Sequence, residues 1–168
     1  NETDETIPEL CEILELIDGK SHLLLEIKNK ANCVGALERA VVDELNRFKA
    51  HNWVTVQSFG DKTLEAIHQM DASLRLEKLL FFRVIGLPVI FDGGFSYFSF
   101  QKYNYVESMN FFYKSVSKPL VDKMHDNNMR VRVWTINELS RIPKADIDGI
   151  ITDYPDAFIE AIPKKANH

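Results

Sequence analysis

The stretch Leu23-Leu24-Leu25-Glu26-Ile27-Lys28 constrains the fold of this chain more than any other. Read as a strand, its side chains alternate with a period of two, so Leu23, Leu25 and Ile27 share one face and Leu24, Glu26 and Lys28 the other. The first face is wholly apolar. The second starts apolar and becomes charged only at its C-terminal end. A strand with one solvated face carries its charges along the whole of that face. A strand of a parallel α/β sheet is buried on both faces and turns polar where it reaches the ligand crevice. The stretch therefore points to a parallel sheet and marks Glu26 and Lys28 as candidate site residues. A plain salt pair at the edge of a half-buried strand fits the same spacing equally well.

The rest of the chain supplies the helices and strands such a sheet needs. Thr6 and Glu9 have the spacing of a capping box, with Pro8 in the first turn. Leu10, Ile13, Leu14 and Ile17 then form one apolar stripe, and Gly19 stops the helix. A second helix is expected over 34–50, with Leu37, Val41, Leu45 and Phe48 buried. Its Glu38, Arg39, Asp43, Glu44 and Arg47 are expected to face water. His51 ends that helix and faces its negative dipole end. Residues 53–59 read as a strand. Asp61 caps a short helix carrying Leu64, Ile67 and Met70, with His68 on its surface, and a third strand is expected at 78–82. Residues 89–91 and 97–100 suit a hairpin across Gly93-Gly94, folded over the core as an insertion or forming an apolar lip.

A strand at 103–108 comes next. A helix at 115–126 follows, capped by Ser117 with Pro119 just inside it and ended by Asn127-Asn128. Residues 130–137 are a strand and 138–142 a short helical stretch. Residues 148–153 are the last strand, stopped before Pro155, and 157–162 a final helix. Residues 163–168 read as a disordered tail. Strand and helix thus alternate five or six times, which implies a parallel sheet with right-handed crossovers. Length alone suggests an open, flavodoxin-like sheet.

Several function classes are disfavoured. With 168 residues, 45% of them apolar, the chain suits a single domain with a full core. Its formal net charge of -5 and lack of a basic stripe argue against nucleic acid as a partner. No apolar run is long enough for a transmembrane helix. The acidic start lacks the basic region of a signal peptide, so a cytoplasmic or periplasmic location is left open. The chain begins at Asn1 without an initiator Met, which suggests a processed product or a fragment. Cys11 and Cys33 lack C-x-x-C spacing and read as buried free thiols. No glycine-rich nucleotide cradle follows any strand.

Taken in order, E-I-K at Glu26–Lys28, Q-S-F at Gln57–Phe59, V-W-T-x-N at 133–137 and D-G-I-I-T-D-x-P at 148–155 resemble the glycerophosphodiester phosphodiesterase family. The resemblance implies a TIM (β/α)8-type barrel, similar to that of the phosphoinositide phospholipases. It implies metal-dependent hydrolysis of glycerophosphodiesters to glycerol 3-phosphate and an alcohol. On this resemblance Glu26 is a metal ligand, for Mg²⁺ or Ca²⁺, and Lys28 neutralises phosphate charge. Gln57, Ser58, Phe59 and Trp134 line the substrate pocket, and Asp153 closes the last strand end. The residue types suit these roles. A carboxylate is a hard oxygen donor, an ammonium adds a point charge for phosphate oxygens, and an indole face can hold the glycerol or alcohol portion.

The sequence departs from the family pattern in its first part. There is no H-R-G, nor a strand with paired acidic ligands followed by His-Asp at a strand end. The sole His-Asp, His125-Asp126, falls on an expected helix, and His22 precedes the first strand at the end away from a barrel site. The resemblance thus implies an incomplete barrel holding strands three to eight. The catalytic histidines are then absent, and the isolated chain is expected to be inactive. Open sheet edges would favour a homo-oligomer. The competing reading is a non-catalytic head-group or protein-binding relative of the same fold.

Overall fold

The computed structural model describes residues 6–29, 34–84, 88–90 and 100–161. These fall into two compact units, one drawn from Asn1–Lys78 and Lys102–Val106, the other from Leu79–Gln101 and Glu107–His168.

The first unit runs α1 (Leu10–Ile17), β1 (Leu23–Glu26), α2 (Ala36–Arg47), β2 (Val54–Ser58), α3 (Asp61–Met70) and the first four residues of β3 (Arg75–Leu80). The cap of α1 lies one turn later than the sequence suggests. Glu9 is its N-cap, and the Glu9 N–H donates to Glu12 Oε2 at 2.7 Å. Thr6 and Pro8 stay outside the helix, because Glu12 is the carboxylate that reaches the first free N–H groups. Asp18 and Gly19 end the helix in left-handed conformations, with φ of 44° and 70°. Leu14 is buried, whereas Leu10, Ile13 and Ile17 are half-buried. Cys11 is a free thiol but only half-buried, which corrects the expectation of a buried one. Cys33 lies outside the described residues.

β1, β2 and β3 pair in parallel, Leu23 to Glu26 against Val54 to Gln57 and Thr55 to Ser58 against Arg75 to Lys78. Every residue of β2 is buried, as a parallel strand covered on both faces should be. β3 starts three residues before the expected position, because Arg75 and Glu77 look like surface residues in the sequence yet Glu77 is fully buried; Lys78 is buried, as the expected strand has it. α2 is rolled about its axis relative to the expected stripe. Its buried residues are Glu38, Val41, Val42 and Leu45, while Leu37 is exposed. Glu38 was expected to face water and instead takes the buried i position of an i, i+3, i+4, i+7 face. Asp61 is the first residue of α3 instead of its cap, a place taken by Gly60. His68 is half-buried, its ring stacked on Tyr105 at 4.9 Å, and does not sit free on the surface.

His51 lies in a 3-10 turn, with Nε2 2.9 Å from Asp71 Oδ2. Asp71 also accepts from the Ser73 N–H and hydroxyl. The Ser73 hydroxyl first, and His51 next, hold the Asp71 carboxyl at about 2, below its ordinary 3.8. A depressed carboxyl stabilises the fold above the unfolded value, and that stability is lost as pH falls through the folded one. Thermal unfolding followed by circular dichroism should therefore show a midpoint that drops between pH 3.8 and about 2. Asp71→Asn should flatten that part of the profile; an unchanged slope would remove Asp71 from the role.

The second unit contains β4 (Phe82–Val84), β5 (Pro88–Ile90), β6 (Ser108–Phe112), α4 (Lys118–His125), β7 (Arg130–Trp134), β8 (Gly149–Ile150) and α5 (Pro155–Ala161). β4 and β5 form an antiparallel pair, Phe82 opposite Ile90. A hairpin is present, but it pairs 88–90 with 82–84; Gly93-Gly94 and 97–99 lie outside the described residues. The expected strand at 103–108 is displaced to Ser108–Phe112, and Phe100–Tyr103 is a 3-10 turn. The displaced strand buries two polar residues, Ser108 and Asn110, joined by a 2.9 Å bond from the Ser108 hydroxyl to Asn110 Oδ1. Ser117 and Pro119 open α4 as expected, and Asn128, at φ 57°, ends its last turn.

β6, β7 and β8 are parallel. β8 is only two residues long. Thr152 and Asp153 leave it to meet Asn137, whose Oδ1 accepts from the Asp153 N–H at 3.0 Å and the Thr152 hydroxyl at 3.2 Å. Val133, Ile136 and Phe158 form a buried cluster flanked by Tyr113, Val116, Ile142, Ile147 and Ile150. Each unit thus contributes parallel strands alternating with helices, an α/β fold. Among the described residues no helix is long and apolar enough to cross a membrane. The tail at 163–168 lies outside the described residues.

Candidate functional site

The C-terminal end of β1 carries the acid and the base singled out in the sequence. Lys28 Nζ lies 3.9 Å from Glu26 Oε2, and the Lys28 side chain is 80% exposed against 29% for Glu26. Glu26 is in register with Gln57 on β2, and Gln57 with Glu77 on β3. In-register residues of a parallel sheet project to the same face. Glu26, Gln57 and Glu77 therefore form a row across three strands, the last two of them buried. The strand expected at 78–82 begins one residue after Glu77 and so omits it. Glu77 and Lys78 are adjacent and alternate to opposite faces, unlike Glu26 and Lys28, so the E-I-K pattern gives no signal for Glu77.

Ser58, next along β2, alternates to the other face. Its hydroxyl donates to the Ile27 carbonyl at 2.8 Å and accepts from the Gly60 N–H at 3.1 Å. It thus ties the end of β1 to the β2–α3 turn. Phe59 follows with its side chain 41% exposed, and its carbonyl accepts from Lys78 Nζ.

Two buried charges sit behind these strand ends. Lys78 is fully buried and pairs with Asp61 Oδ1 at 3.2 Å. Asp61 also accepts from Lys102 Nζ at 2.8 Å and from the Tyr103 hydroxyl at 2.9 Å. Burial pushes the Asp61 carboxyl up, but Lys102, Lys78 and Tyr103 together outweigh it and leave the group below its ordinary range. The second charge is Glu38. Its Oε2 accepts from the Gly35 N–H at 2.7 Å, and its Oε1 from Asn29 Nδ2 at 2.8 Å and the Thr63 hydroxyl at 2.9 Å. Burial alone would raise this carboxyl, and the hydrogen bonds, Gly35's foremost, bring it below its ordinary range instead.

In the second unit, Trp134 ends β7 beside its register partner Phe112 on β6. The indole N–H donates to the Asn110 carbonyl at 2.9 Å. The rings of Phe81, Phe112 and Trp134 contact one another with centroids 5.1–5.9 Å apart. Asp153 accepts from Asn137 Nδ2 at 2.8 Å, so the last two motifs are joined to each other.

Glu26 is one hard oxygen donor. Among the described residues no group of three or more His, Cys, Asp or Glu side chains is placed to hold a metal ion. The donor set in view is therefore not that of a complete cation site. The described histidines all have neighbours of their own. His22 Nε2 is 2.9 Å from the Thr55 hydroxyl, His51 meets Asp71, His68 stacks on Tyr105, and His125 Nε2 lies 2.8 Å from Asp148 Oδ2. His125 is the last residue of α4, which leaves His125-Asp126 a helix end.

Comparison with known proteins follows the same line. A family model described as the glycerophosphoryl diester phosphodiesterase family matches residues 1–157. A glycerophosphodiester phosphodiesterase of Caldanaerobacter subterraneus is 27% identical over 164 residues, covering 95% of this chain and 63% of that protein. One from Bacillus altitudinis is 26% identical over 160 residues, covering 92% of this chain and 62% of its own length. The chain thus spans less than two thirds of the curated relatives it matches. Among solved structures, a glycerophosphodiester phosphodiesterase from Parabacteroides distasonis superposes with a TM-score of 0.67 at 15% identity, over 94% of this chain and 64% of that one. An Oleispira antarctica phosphodiesterase, solved with the product sn-glycerol-3-phosphate, gives 0.66 at 17% identity, over 93% and 61%. At such identities the likeness is one of fold, an α/β arrangement consistent with an incomplete barrel.

Proposed function

The chain belongs to the glycerophosphoryl diester phosphodiesterase family, phosphoric diester hydrolases, and from that membership we propose that it carries the phosphate-binding part of a glycerophosphodiester hydrolase. The reaction so assigned releases glycerol 3-phosphate and an alcohol. The observation that carries the reading is the Glu26–Lys28 pair, held side by side at the C-terminal end of β1 with Gln57 in register beside it. In strand–helix repeats of this kind, that end is where ligands bind.

In this reading the exposed Lys28 ammonium meets the phosphate oxygens as a compact positive charge. Glu26 supplies one oxygen donor toward a divalent cation, Mg²⁺ or Ca²⁺. The described residues do not complete a donor set for that ion. Gln57, on the Glu26 face, is assigned to substrate. Ser58 supports the site through its hydrogen bond to the Ile27 carbonyl, and Phe59 offers an exposed ring beside it. Trp134, in the second unit, keeps its assignment to substrate from the family membership alone. With the described histidines engaged elsewhere, general acid–base catalysis is not assigned to these residues. That class of help supplies roughly a hundredfold to ten-thousandfold in rate, so the chain by itself is expected to bind more than it turns over.

Isothermal titration of the chain with sn-glycerol 3-phosphate, with Mg²⁺, with Ca²⁺ and without either, tests the reading. Saturable binding that is strengthened by a cation supports it, and no binding under any of the three conditions overturns it. Glycerophosphocholine added to the same samples tests turnover directly. Choline release identifies a hydrolase, and binding without release matches the low turnover expected of this chain by itself.

A further inference from the structure

The residues on either side of Lys28 are both held in place, whereas the Lys28 side chain itself is exposed. On one side the Ile27 carbonyl accepts the Ser58 hydroxyl at 2.8 Å. On the other the Asn29 side chain donates to Glu38 at 2.8 Å. The same carboxylate accepts the Gly35 N–H at 2.7 Å, with its other oxygen. Glu38 thus binds one residue before and one residue after positions 30–34, and so clasps the base of the β1–α2 connection. The Thr63 hydroxyl, 2.9 Å away, anchors the clasp to α3. Glu38 is fully buried, and a buried carboxylate is costly unless its lone pairs are filled. Here three neutral donors fill them. A leucine or valine in that position would pack without such demands but would leave the Gly35 N–H at the start of α2, the Asn29 amide and the Thr63 hydroxyl without the carboxylate they share.

We propose that Glu38 is a positioning residue for phosphate recognition, clasping Asn29 to Gly35 so that the Lys28 ammonium leaves β1 in one fixed direction. The inference rests on the assignment of Lys28 to phosphate. The physical logic is preorganisation. A long lysine side chain loses less freedom on binding when its backbone is already fixed, and supporting contacts of this kind typically carry about tenfold or more in affinity. Asn29 and Gly35 join through one carboxylate, so loss of the carboxylate removes a shared partner from both ends at once.

The test uses Glu38→Gln, which keeps volume but turns an acceptor into a donor, and Asn29→Ala, which removes one end of the clasp and leaves Glu38 in place. Val42→Ala, in the same helix and buried, is the stability control. Two readouts are taken on folded samples. Amide NMR spectra should show the Gly35 N–H and the Asn29 side-chain amide shifted in Glu38→Gln, with faster hydrogen exchange at Lys28 and Asn29. Titration with sn-glycerol 3-phosphate should weaken about tenfold in both clasp variants and stay within about twofold in Val42→Ala. Unmoved Lys28 and Asn29 resonances, or equal weakening in Val42→Ala, would overturn the inference. If Glu38→Gln does not fold, the Asn29→Ala spectra and titration decide it. If the native chain itself binds no glycerol 3-phosphate, the Lys28 assignment fails instead, and the spectra alone still show whether Glu38 fixes the loop base.

Discussion

Lys28→Glu should weaken binding of sn-glycerol 3-phosphate by about tenfold to a hundredfold while leaving the unfolding midpoint close to that of the native chain. The ammonium is 80% exposed and its one described ion pair, to Glu26, is long at 3.9 Å. Pairs of that kind contribute little to stability. Reversal does more than delete an attraction, because it places a second carboxylate beside Glu26 and facing the phosphate. At a few ångströms, opposite or like unit charges near a protein surface interact by one to several kcal/mol, and each 1.4 kcal/mol is tenfold in affinity. The effect should shrink as ionic strength rises, since the site is open to solvent. Glu26→Ala has a different signature. It should leave affinity without cation nearly unchanged and abolish any strengthening by Mg²⁺ or Ca²⁺. Calorimetry over a salt series reads both variants. Native-like affinity in Lys28→Glu would take Lys28 away from phosphate, and retained cation dependence in Glu26→Ala would take Glu26 away from the metal.

Asp61→Ala should destabilise the first unit by about 3 kcal/mol, the scale seen when one partner is removed from a buried ion pair. Its carboxylate is where Lys78, Lys102 and the Tyr103 hydroxyl converge. Lys78 has no exposed surface at all, so its ammonium depends on protein partners instead of water. Lys102→Ala, which removes the more exposed partner, should cost less than about 1 kcal/mol. The Asp61 carboxyl lies below its ordinary range, so this contribution is present above the unfolded carboxyl value and fades as pH falls through the folded one. Urea unfolding at neutral pH measures it. A loss under about 1 kcal/mol in Asp61→Ala would show that the convergence on this carboxylate is worth no more than a surface pair.

Much of the architecture was legible because hydrophobic period and chain punctuation act locally. The β1 strand, buried β2, the Ser117–Pro119 start of α4 and the Asn128 stop all follow from side-chain alternation, caps and left-handed turn residues. The ordered motifs led to the family. Several of the differences have one cause. Glu38, Glu77 and Asn110 are polar residues that the fold buries. Read by hydropathy, Glu38 turns to the water face of α2, and Glu77 and Asn110 fall outside the expected strands at 78–82 and 103–108.

The linear order of residues determined that strands alternate with helices and that an acid and a base close the first strand. Tertiary structure alone decided which charges face water. The cost of burying a polar group depends on whether donors and acceptors distant in the chain arrive to satisfy it. Asn29, Gly35 and Thr63 do so for Glu38, and Asp61 and the Phe59 carbonyl do so for Lys78. No local pattern reports those meetings, because they exist only once the strands are in register.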